Sequence, residues 1–117
     1  MGFFKNLIFG LKDIDVSGNM HVSTLKKEFK EQFGTEIRVY KTLNTGAGSR
    51  PAPEKSTLAS IGDTEKKVSG MTIKKSKSVG KIEDEFKDIM GIGIQIMTPD
   101  GKEFAPNDMK LSNVGKM

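Results

Sequence analysis

The apolar residues of this chain fall into short patterned runs, and the pattern occurs twice. In residues 22–40 (VSTLKKEFKEQFGTEIRVY), Val22, Leu25, Phe29 and Phe33 recur at helical spacing. Ile37-Arg38-Val39-Tyr40 then alternates as a half-buried strand does. Residues 79–97 (VGKIEDEFKDIMGIGIQIM) repeat this without a gap at an offset of 57. There Val79, Ile82, Phe86 and Met90 form the stripe, and Ile94-Gln95-Ile96-Met97 the strand. Gly34 and Gly91 follow the last stripe residue, where a left-handed residue closes a helix. Ser23 or Thr24 is expected to cap the first helix, and Glu83, Asp84 and Glu85 to lie in the first turn of the second.

The duplication extends beyond these blocks. Leu58-Ala59-Ser60-Ile61-Gly62 matches Leu111-Ser112-Asn113-Val114-Gly115 at an offset of 53, and each predicts a closing helical turn. Thr98-Pro99-Asp100-Gly101 predicts a tight turn that sends Lys102-Glu103-Phe104 back as a short strand. The first copy has in its place a Gly-, Pro- and polar-rich stretch over 44–56, read as a flexible loop. Candidate strands at 12–18 and 66–75 precede the two helices. The predicted order is β-α-β twice, an α+β domain over 12–117 made of repeats 12–62 and 66–115. Two such units are expected to form one mainly antiparallel four-stranded sheet with two helices on one face, the ferredoxin-like arrangement. Leu25, Phe29, Phe33, Ile82, Phe86 and Met90 should then bury together against Ile37, Val39, Ile94 and Ile96.

Within residues 79–114, the glycine-closed helix, apolar strand, tight hairpin and Leu-x-x-Val turn also resemble ubiquitin-like β-grasp modules. That resemblance implies an alternative fold of tandem β-grasp-like units.

Residues 1–11 stand apart. Phe3, Phe4, Leu7, Ile8 and Leu11 fall within an arc of about 140° when wound as a helix, with Lys5 outside it. The segment is read as an amphipathic N-terminal helix and a candidate partner surface. It would dock on its own domain, on a partner protein or on a second copy; a membrane surface is the less favoured contact, since basic residues are few.

Composition narrows the chemistry. With no cysteine, the 117-residue chain has no disulfide framework, thiolate metal site or cysteine nucleophile, and its expected location is the cytoplasm. Asp13-Ile14-Asp15-Val16-Ser17-Gly18 matches the opening of a calcium loop, but Thr24 stands where a bidentate Glu is required, so a strand and turn are expected. Gly46-Ala47-Gly48-Ser49-Arg50 lacks the Gly-Lys-Ser/Thr of a phosphate loop. His21 has no nucleophile partner, and Asp84 and Asp88, one helical turn apart, read as a solvated face. No nucleophile, base and orienting group assemble, so neither catalysis nor a metal or cofactor is expected.

Charge is unevenly spread. Residues 66–82 hold Lys66, Lys67, Lys74, Lys75, Lys77 and Lys81 and no acid, while the remainder carries 13 basic and 15 acidic residues. This candidate basic patch suits phosphate backbone or an acidic protein, or simply guards a sheet edge. Stacking aromatics and arginines are sparse: Tyr40 is the one tyrosine, and Arg38 and Arg50 the two arginines. The expected function is a small non-enzymatic protein-interaction module; the alternative is a nucleic-acid-binding accessory protein using 66–81.

Overall fold

A computed structural model describes residues 10–41, 50–62 and 70–117. In chain order the elements are β1 (Ile14–Val16), α1 (Val22–Phe33), β2 (Ile37–Val39), α2 (Leu58–Ile61), β3 (Met71–Ile73), α3 (Val79–Glu85), β4 (Ile94–Ile96) and α4 (Leu111–Val114). The helix begun by α3 runs on as a π-helical turn over Phe86–Met90. Every element of the first repeat has its counterpart in the second, at the offsets read from the sequence. The chain is a small compact α+β domain.

Both stripes are buried: Val22, Leu25, Phe29 and Phe33 on α1, and Val79, Ile82, Phe86 and Met90 on its counterpart. They join the inward residues of all four strands in one core. Phe29 and Phe33 meet edge to face, centroids 5.2 Å apart. Gly34 (φ 67°) and Gly91 (φ 68°) close the helices in the left-handed region, each returning its N–H to a carbonyl of the last turn.

The helix starts differ from expectation. No side chain caps α1, whose first amides, Val22 and Ser23, donate to the carbonyls of Ser56 and Glu54. The counterparts Val79 and Gly80 donate to Met109 and Asn107. The return segment of each repeat thus supplies acceptors for the first amides, and α1 starts with no Ser or Thr cap. Ser78, not an acidic residue, adds a side-chain cap to α3, and Glu83–Glu85 lie beyond the first turn.

The strands do not form one four-stranded sheet. β1 pairs with β3 and β2 with β4, in two antiparallel two-stranded sheets. Each sheet takes one strand from each repeat, so the repeats interleave and are not tandem units. The registers place Asp15 opposite Thr72 and Arg38 opposite Gln95. Both are pairs at the repeat offset of 57, so a pseudo-twofold axis passes through both sheets. The β2–β4 sheet is flanked by short bridges, Tyr40 with Pro51 and Met97 with Phe104, the latter being the expected return of the hairpin. Residues 50–56, expected in a flexible loop, are tied down: Ala52 N–H donates to Val39 O, and Ser56 O accepts from Val22. Residues 44–49 of that loop lie outside the described residues. The candidate strands over 12–18 and 66–75 shorten to β1 and β3, and Lys74–Lys77 form a turn closed by Lys77 N–H to Lys74 O.

Candidate functional site

A concave surface lined by several basic side chains lies on the first repeat. An open groove of about 470 Å³ is lined by Lys26, Lys27 and Lys30 of α1, Glu36, Ile37 and Arg38 at β2, and Gly101 of the second repeat's hairpin. Its geometry follows from the two periodicities. Burial of Val22, Leu25 and Phe29 turns Lys26, Lys27 and Lys30 away from the core, with Lys26 and Lys30 one turn apart. Burial of Ile37 and Val39 turns Arg38 outward on β2. Four cations therefore meet over one shallow floor.

Their neutralisation is incomplete. Lys26 Nζ lies 3.5 Å from Glu54, and Lys30 Nζ 3.6 Å from Glu36. Arg38 donates to the Gly101 carbonyl at 3.4 Å and has no ion-pair partner among the described residues. Lys27 has no ion-pair partner among the described residues. The groove can receive carboxylate or phosphate oxygens through Lys27, Lys30 and the guanidinium fork of Arg38.

At the pseudo-equivalent place in the second repeat, Lys26 becomes Glu83, Lys27 becomes Asp84 and Arg38 becomes Gln95, while Lys30 is kept as Lys87. Glu83 is half-buried, and its carboxylate accepts the Ile96 N–H at 2.9 Å. Burial raises its pKa against the lowering effect of that hydrogen bond, with Asp84 adding a smaller upward push. The duplication builds the same frame twice, but only the first copy is basic.

The sequence-derived candidates are placed as follows. Phe3, Phe4, Leu7 and Ile8 lie outside the described residues. Leu11 is not helical: it has φ 51°, donates its N–H to Gln32 O at 2.8 Å and packs partly buried on the core. Gly10 and Lys12 also bond to the C-terminal end of α1. Lys66 and Lys67 lie outside the described residues. Lys74 and Lys75 are exposed in the turn after β3, and Lys81 is exposed on α3. Lys77 is engaged by Glu85, their side chains only 30% and 18% exposed. None of Lys74, Lys75, Lys77 and Lys81 lines the groove.

Asp13 accepts the Lys75 N–H and Asp15 the Thr72 hydroxyl, so both serve the β1–β3 pairing. No group of three or more His, Cys, Asp or Glu gathers to hold a metal among the described residues. His21 is exposed, bridging to Thr57. Among the described residues, no helix is long and apolar enough to cross a membrane. The signal for the groove was present in the alignment of the repeats: Lys26-Lys27 against Glu83-Asp84 is a charge inversion between helices that share their apolar stripe. No family model, curated protein or solved structure matches this chain.

Proposed function

We propose that this protein is a small non-enzymatic interaction module that docks an acidic segment of a partner protein in the groove of the first repeat. The observation that carries this reading is the meeting of Lys26, Lys27, Lys30 and Arg38 over one open floor, with two of the four lacking an acidic partner among the described residues. Charge inversion at the equivalent place in the second repeat limits the module to one such site per chain. The cysteine-free composition suits a reducing cytoplasm, where we place this activity.

The test is a titration of isotope-labelled protein with N-acetyl-hexaglutamate at low ionic strength, followed by backbone amide shifts. Saturable shifts confined to α1, β2 and the 98–103 hairpin are expected, weakening as salt is added. Lys27→Glu and Lys30→Glu should each weaken binding about tenfold or more while leaving the melting temperature close to that of the parent.

A second reading, nucleic-acid binding through 66–81, is favoured by the exposure of Lys74, Lys75 and Lys81 near one another in the chain. An oligouridylate titration separates the two, because its shifts would fall on 74–81 and leave α1 unmoved.

A further inference from the structure

The groove already holds a carboxylate of its own. Glu36 Oε2 lies 3.6 Å from Lys30 Nζ, at the mouth of the same floor that Lys27 and Arg38 border. We infer that Glu36 is a built-in competitor whose side chain occupies the position that the partner's carboxylate takes. This rests on the proposed function above and deepens it.

Three observations carry the inference. First, the backbone of Glu36 is fixed while its side chain is not. Its carbonyl accepts the Met97 N–H at 2.8 Å, whereas among the described residues the side chain is held by one ion pair, whose members are 57% and 52% exposed. An exposed pair of this kind opens readily. Second, the hairpin leaves room for the carboxylate. A Cβ on Gly101 would lie 2.8 Å from Glu36 Oε1, so a side chain there would push Glu36 from its place. Third, the pseudo-equivalent of Glu36 is Gly93, so the internal carboxylate belongs to the basic groove and has no counterpart where the charge is inverted.

Binding is then an exchange of one carboxylate for another at Lys30. A lone carboxylate gains nothing there, because it replaces a contact that the chain already makes. A run of acidic residues gains Lys27 and Arg38 as well, and so displaces Glu36. The partner this selects is a contiguous acidic segment, not a scattered acidic surface.

The experiment compares the full-length parent with Glu36→Gln in the hexaglutamate titration, with N-acetylglutamate amide as a single-carboxylate probe. Glu36→Gln should bind hexaglutamate about three- to fivefold more tightly. It should also gain measurable shifts with the single carboxylate, which the parent lacks. Glu36→Ala should behave alike, and serves if the first variant melts early. Equal or weaker binding by both variants overturns this inference while the docking reading stands. Parent protein that binds no hexaglutamate overturns both, and shifts with oligouridylate alone would transfer the function to nucleic acid.

Discussion

Gly62 shows how closely the two repeats approach one another. A Cβ there would lie 2.7 Å from the carbonyl oxygen of Met90, in the helix of the other repeat. Its φ of −75° is open to any residue, so the constraint is space alone. Gly62→Ala should therefore destabilise by ~1–3 kcal/mol, seen as a lower Tm with the fold retained. Glu83 presents a different constraint. Burial raises its pKa above the ordinary 4.5, so the folded protein holds this proton more tightly than the unfolded chain. The stability tied to protonation is complete below the unfolded pKa and is lost as pH rises through the folded one. Glu83→Gln keeps an acceptor for the Ile96 N–H without the charge. It should melt a few degrees above the parent at neutral pH, with the gap closing as the pH is lowered below that of an ordinary glutamate. Thermal melts across pH check this directly. Residues such as Gly34 and Gly91 were legible because they act locally, at a helix end. The close approach at Gly62 was not, since it depends on a residue 28 positions away.

The elements were legible where one face decides their form. The stripes on α1 and on α3 with its π-helical turn are buried residue for residue as their spacing implies. Phe29→Ala and Phe86→Ala, each removing a fully buried ring, should cost ~3–5 kcal/mol, and melts of the purified variants test both. The π-helical turn over Phe86–Met90 left no trace in the pattern. Gly91 N–H reaches both Lys87 O and Phe86 O there, yet the stripe spacing is the same as in α1, which stays α-helical throughout. Helix starts differ from the pattern for a related reason. The first amides of each helix are met by carbonyls of the return segment of the same repeat, and only α3 adds a side-chain cap, from Ser78. The groove lies between these cases: its cations were visible, but their meeting over one floor needed the packing of α1 beside β2.

At the scale of the molecule, pairing was the least legible feature. Alternation marks a strand without naming its partner, and strands of three residues carry little register information. Shared sheets couple the repeats, so neither can leave without exposing a strand of the other. Unfolding should be one cooperative step, with calorimetric and van't Hoff enthalpies equal; two resolved transitions would show that the repeats are separable. The axis through Asp15–Thr72 and Arg38–Gln95 carries one more implication. A homodimer of half-length chains in this geometry would have to set each axial residue against its own copy, aspartate facing aspartate or arginine facing arginine. Fusion into one chain lifts that identity requirement. Each half is then free to mutate alone, and a surface that symmetry would have forced to appear twice can specialise on one side only.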